Sequence, residues 1–231
     1  MLEYACDRLD KTIEKQVALW VAWMLGYYFM LRRSEYTADN NGTFHPDVAV
    51  TKRDLVFMRG RKPCKWWQGP TGVAVYIKRS KTDTAGVGCW RYNDMSGHPT
   101  VCVVTALVYW FASQDEICEP SQSVCSFAKR CGKLVIGRQN VSGGQVSASL
   151  KEIGAALNVP SSRLSSHSLR VGGATALAAA GVPKHLIQLL GRWRSEAVMG
   201  YIHESLETMK GLARRMTLSV VAPLLFFGRP A

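Results

Sequence analysis

The longest apolar run, residues 17–31 (VALWVAWMLGYYFML), lies within a stretch, 11–30, that contains no Pro and one Gly. Because the run is hydrophobic on every face, it predicts one long helix buried nearly all round, ending near Arg32-Arg33. It falls short of the roughly 20 residues that cross a bilayer. The acids before it (Glu3, Asp7, Asp10, Glu14) are the opposite of a signal peptide's basic flank. A polar, turn-rich stretch follows at 38–46. Residues 48–58, 72–79 and 86–92 are rich in β-branched and aromatic residues and predict a three-stranded antiparallel sheet. Residues 100–113 return to a helical pattern after Gly97-His98-Pro99.

Beyond that point helices are expected throughout. After a break at 142–144 come 145–158, then a helix capped by Ser165 or Ser166 and closed by Gly181. Another opens at Pro183 and stops at Gly191, and two short helices follow at 195–202 and 204–216. The expected fold class is mainly α with a small antiparallel β-sheet (α+β). It forms one domain over 1–216 and an apolar tail, 217–231, that packs on its own domain or docks on a neighbouring copy.

Composition narrows the partner. The chain has 231 residues, 47% hydrophobic and 20% charged, which suits a folded core rather than disorder. Lys and Arg number 29 against 17 Asp and Glu, a net charge of +12 that favours a polyanion: nucleic acid or an anionic membrane surface. The seven cysteines form no CxxC pair, so they are expected as reduced thiols. His98 and Cys102 have helical spacing but no second pair, and no metal or cofactor is expected. Between residues 52 and 81 lie Lys52, Arg53, Arg59, Arg61, Lys62, Lys65, Lys78, Arg79 and Lys81 against one acid, Asp54, with Trp66-Trp67 among them. This is either a face that tracks phosphates or a solvated sheet edge blunted by lysines.

Four local signals carry chemistry. Arg32 and Glu35 stand three apart, so on a helix the carboxylate would orient the guanidinium, although such pairs are commonly surface decoration. Lys81, in Ser80-Lys81-Thr82-Asp83, can project from a hairpin tip. His167 and Arg170 share the first turn of a helix, where N–H groups and the dipole attract an anion. Leu190-Gly191-Arg192-Trp193 precedes Tyr201, which as a tyrosine in a helical run is equally a core residue.

In this order the signals resemble the catalytic domain of the tyrosine recombinase (phage integrase) family, from the first long helix to Tyr201. Gly191-Arg192-Trp193 is similar to the wording in eukaryotic mobile elements such as cryptons. The resemblance implies Arg32 as first catalytic arginine with Glu35 supporting it, Lys81 as the hairpin lysine, and His167 and Arg170 as the HxxR pair. It implies Tyr201 as nucleophile and Trp193 at the His-or-Trp position. Trp193 precedes Tyr201 by eight residues and Arg192 by nine, the family's commoner gap, so either can fill that donor position. Met30 stands where the family has glycine, which a helical turn would tolerate.

The implied activity is site-specific DNA cleavage and rejoining through a 3′-phosphotyrosyl intermediate. The implied partner is double-stranded DNA, with a homo-tetramer exchanging C-terminal segments and no membrane or small-molecule substrate. The N-terminal clamp domain is expected to be absent, and the location intracellular, with DNA: the nucleus in a eukaryote, the cytoplasm or nucleoid in a prokaryote. The competing expectations are a non-catalytic DNA-binding relic and a type IB topoisomerase. The chemistry is coherent: two guanidinium forks and a further donor suit the oxygens of a five-coordinate phosphorus, each worth about 3 kcal/mol in a water-poor site. A phosphotyrosine ester also conserves the bond for religation without nucleotide hydrolysis.

Overall fold

A computed structural model of the chain describes residues 1–79, 86–114 and 119–193. Lys81, Tyr201, the short helices expected after residue 194 and the tail lie outside the described residues.

Helix α2 (Glu14–Tyr28) is the axis of the core: Val17, Ala18, Trp20, Val21, Ala22, Trp23, Met24, Leu25 and Gly26 are all buried. A short helix, α1 (Leu2–Asp7), precedes it. The predicted all-round burial is therefore observed, but the helix stops at Tyr28 rather than at the arginine pair. Burying tryptophans obliges their indole N–H groups to find acceptors. Trp20 donates to the Thr100 carbonyl at 2.8 Å, and Trp23 donates to the Ser149 hydroxyl at 3.1 Å.

The sheet has four strands rather than three. β1 (Leu55–Arg59), β2 (Lys62–Cys64), β3 (Gly72–Ile77) and β4 (Cys89–Asp94) are all antiparallel in the order β2-β1-β3-β4. Residues 48–54 are not strand. Lys52–Asp54 is a 3-10 turn in which the Asp54 carboxylate accepts the backbone N–H of Thr51 at 2.7 Å and its hydroxyl at 2.5 Å. Phe57, Val73, Val75 and Ile77 point into the core. Helix α3 (Val103–Ala112) packs over that face, and Trp110 donates to the Ser126 carbonyl at 2.8 Å.

The expectation of helix alone beyond residue 113 is overturned by a second hairpin, β5 (Ser126–Cys131) and β6 (Leu134–Asn140). Gly132, at φ +60°, supplies its turn. The chain then runs through α4 (Gly143–Ala156), α5 (Ser166–Ala179) and α6 (Lys184–Gly191). The predicted break at 142–144 is the cap of α4, where the Ser142 hydroxyl accepts from the Gln145 N–H at 3.2 Å.

Helices α2 and α5 meet nearly backbone to backbone. A Cβ on Gly173 would collide with the main-chain carbonyl oxygen of Tyr27, an atom that cannot swing aside. Gly173→Ala is therefore expected to force the helices apart and lower stability by about 1–3 kcal/mol, measured as a lower urea midpoint with an unchanged m-value.

Candidate active site

The site begins where α2 ends. Phe29 caps the helix, and Met30 turns left-handed at φ +48°, so the turn that was expected to be helical is not. A residue with a Cβ is strained there by about 1–2 kcal/mol. The fully buried Met30 side chain, packed against Ala174 and Ile187, offsets that strain. The reversal takes Arg32 off the helix axis into extended backbone, followed by a 3-10 turn, Arg33–Glu35. Arg32 and Glu35 are thus paired through that turn and not across a helix face. The Glu35 carboxylate accepts the Arg32 backbone N–H at 2.8 Å and its Nη1 at 3.1 Å.

Helix α5 supplies the second group. At its start the Ser168 hydroxyl accepts the Ser165 N–H at 3.0 Å, and His167 and Arg170 follow one turn apart, as expected. Arg170 is 2% exposed. Its Nη1 donates to the Met30 carbonyl, its Nη2 to the Gly191 carbonyl at 2.6 Å, and its guanidinium lies 4.2 Å from the centre of the Trp193 ring. Two carbonyls and an indole face therefore fix the plane of this fork. His167 lies at the exposed rim. Partial desolvation, and then the charge of Arg170, hold its pKa below the ordinary 6.5, so the imidazole is neutral at neutral pH.

Arg192, at the end of α6, is left-handed at φ +59°. Its Nη2 forms an ion pair with Glu35, and its Nη1 donates to the Phe29 carbonyl at 3.4 Å. Burial pushes the pKa of this guanidinium down, and the Glu35 charge opposes that shift. Gly191 is obligatory, because any Cβ there would sit inside the Trp193 ring. A fourth arginine, Arg91 of β4, donates from Nη2 to the Leu189 carbonyl at 2.9 Å. Arg91 and Arg170 together hold carbonyls at the C-terminal end of α6, where the helix dipole favours cations.

The resulting arrangement has one centre. Glu35, 1% exposed, receives Arg32 and Arg192; Arg170 bonds the carbonyls of Met30, two residues before Arg32, and of Gly191, next to Arg192; and Arg91 approaches from the sheet. Two guanidiniums, those of Arg32 and Arg192, share the buried carboxylate, and two more, those of Arg170 and Arg91, are held by nearby backbone carbonyls, so the local field is positive and suits an anion.

No family model and no curated protein sequence matches the chain. Among solved structures it is similar to a Flpe–Holliday junction complex, at 13% identity and a TM-score of 0.47, over 87% of this chain and 45% of that one. It is also similar to a fragment of the Tn1549 transposon integrase in complex with circular intermediate DNA, at 14% identity and a TM-score of 0.44, over 84% of this chain and 58% of that one. The chain spans about half the length of the solved chains it matches.

Of the residues named from sequence, Arg32, Glu35, Arg170, Arg192 and Trp193 come together, with His167 at the rim. The basic stretch does not form one patch. Arg59, Arg61 and Lys62 surround the β1–β2 turn and Lys65 follows the far end of β2, whereas Lys52, Arg53, Lys78 and Arg79 lie at the opposite end of the sheet. A five-residue strand, about 17 Å long, separates the two groups. Lys78 is turned inward: its ammonium meets the Asp54 carboxylate at 2.5 Å and the Pro46 carbonyl at 2.6 Å. Arg91 was missed from sequence. The available signal was a cation at an inward position of an alternating strand, between Cys89 and Asn93.

Proposed function

We propose that the chain is the catalytic domain of a tyrosine recombinase that cleaves and rejoins DNA strands through a 3′-phosphotyrosyl intermediate. The observation that carries this reading is the pairing of Arg32 and Arg192, from opposite ends of the described chain, on the buried Glu35, with Arg170 bonded to the Met30 and Gly191 carbonyls beside them. The ordered motifs and the net charge of +12 support it further. In this reading Arg32, the solvent-facing member of the cluster, meets the non-bridging oxygens of the scissile phosphate, and the buried Arg170 and Arg192 add positive field behind it. The phenol oxygen of Tyr201 attacks phosphorus, and the bond to the deoxyribose 5′-oxygen breaks. Neutral His167 takes the phenol proton, and Lys81 gives a proton to the departing 5′-oxygen. Attack by another strand's 5′-hydroxyl reverses the step and releases the tyrosine. The substrate is double-stranded DNA, and a tetramer exchanging C-terminal segments is the proposed assembly. The tail, 217–231, is its proposed swapped element.

A suicide duplex that loses its 5′-hydroxyl fragment after cleavage tests this directly. A covalent adduct mapping to Tyr201 is expected. Tight, salt-sensitive duplex binding without any adduct overturns the reading in favour of a non-catalytic relic, and supercoil relaxation by a species that stays monomeric on DNA moves it to a type IB topoisomerase.

Two further outcomes follow from the geometry. Since His167 is held below 6.5 and must be neutral to accept a proton, cleavage is expected to fall as pH drops through that lowered pKa and to be flat above it. Single-turnover rates between pH 5 and 8 would show the acid limb, and His167→Gln is expected to remove it. Trp193→Phe keeps a ring over Arg170 but deletes the indole N–H. It is expected to slow cleavage about 100-fold with little loss of melting temperature, whereas Arg192→Ala, which breaks the Glu35 pair, lowers both. Equal, small losses in cleavage from both changes would remove both residues from the donor role.

A further inference from the structure

The four-stranded sheet turns one face to the core and the other to solvent. Residues opposite one another on neighbouring antiparallel strands share a face. The register Val56↔Ala74↔Tyr92 and Tyr76↔Trp90 therefore places all five on the outer side, away from Phe57, Val75 and Arg91. That outer side is aromatic. Trp90 is 52% and Tyr92 42% exposed, and the Tyr76 ring lies 5.2 Å from that of Trp90. The rings are pinned from below: the Tyr76 hydroxyl donates to the Val87 carbonyl at 2.8 Å, and the Tyr92 hydroxyl donates to the Asp94 carboxylate. Tyr92 also occupies the space over Gly72 that a Cβ would fill. A shallow groove lined by Met58, Gly60, Arg61, Thr71, Tyr92 and Asp94 continues the face toward the β1–β2 turn. The two basic groups described above flank this platform, with Arg79 beyond the Trp90 end and Arg59, Arg61 and Lys62 beyond the Tyr92 end.

We infer that this outer face binds single-stranded nucleic acid, with bases stacked on Trp90 and Tyr92 and phosphates held by the basic residues at both ends. The step from Trp90 to Tyr92 is two residues along a strand, about 6.8 Å. That is twice the rise of about 3.4 Å per nucleotide of a duplex strand, so the rings suit splayed, unpaired bases and not a stacked helix. Exposed base faces exist only where pairing is broken. The cationic rim, with Asp94 as its acid, matches a polyanion and not the apolar surface of a second sheet. The inference concerns a face outside the arginine cluster and does not depend on strand transfer.

The test uses the full chain and a labelled oligothymidine of about 12 nucleotides, a length within single-strand site sizes, with fluorescence anisotropy as readout. Replacing both Trp90 and Tyr92 by Ala is expected to weaken that binding at least tenfold and leave the salt slope unchanged. Affinity for a duplex of equal length should move less than about threefold. Trp90→Phe is expected to stay within about threefold of wild type and Trp90→Leu to lose affinity, a pair that decides the matter should the double variant fail to fold. The inference is overturned if the wild-type chain does not bind the single strand, or if the Ala and Leu variants bind it as wild type does. Sedimentation showing that the double variant loses self-association while oligothymidine binding is unmoved also overturns it, and assigns the face to contact between copies. Because duplex cleavage is read separately on the suicide substrate, failure of this inference and failure of the recombinase reading are distinguishable.

Discussion

Glu35→Ala is expected to cost about 3–5 kcal/mol of stability and to abolish measurable strand cleavage. The carboxylate is buried and joins two guanidiniums, and removing one partner of a buried pair leaves an uncompensated charge in a medium that solvates it poorly. Arg192 bears that loss, since it is far more enclosed than Arg32, whose side chain is 23% exposed. The Arg32 backbone N–H loses its acceptor as well. Glu35→Gln separates the two effects: an amide oxygen can still accept one N–H, so stability is expected to recover in part while cleavage stays low. Chemical denaturation and single-turnover cleavage on the suicide duplex measure both. Unchanged stability in Glu35→Ala would mean that the carboxylate does not organise the cluster.

Tyr201→Phe is expected to leave folding and duplex binding intact and to eliminate the covalent adduct, a fall of at least about 10⁴-fold in cleavage. The change removes one oxygen, and with it the only atom of that side chain able to form an ester with phosphorus. Its sensitivity comes from combining two readouts: binding by electrophoretic shift and adduct by denaturing gel. An adduct that persists in the variant would assign the nucleophile elsewhere and dissolve the role given to the segment after Trp193.

The legible and illegible parts of this chain differ in physical kind. The all-apolar run at 17–31 declared the core helix, because a helix without a polar face has only one place to go. His167 and Arg170 were legible because helix-start chemistry is local. Glu35 was named correctly as the partner of Arg32, yet for the wrong geometry. The three-residue spacing fits a helix face, but the left-handed Met30 had already ended the helix, and nothing in a methionine announces a positive φ. The β5–β6 hairpin was overlooked although Cys131-Gly132-Lys133 carries a turn glycine, because the helical neighbours on both sides set the expectation. Arg91 and the division of the basic stretch share one cause. Both depend on strand register, which a pairing partner fixes and a single strand does not reveal.

The bond from Arg170 to the Met30 carbonyl joins positions 140 residues apart, and its companion reaches Gly191. Closing so long a loop costs conformational entropy, which these two bonds offset only together with the packing around them. The cation cluster therefore exists only while both ends of this closure are in place, which makes it a property of the folded domain and of no shorter segment.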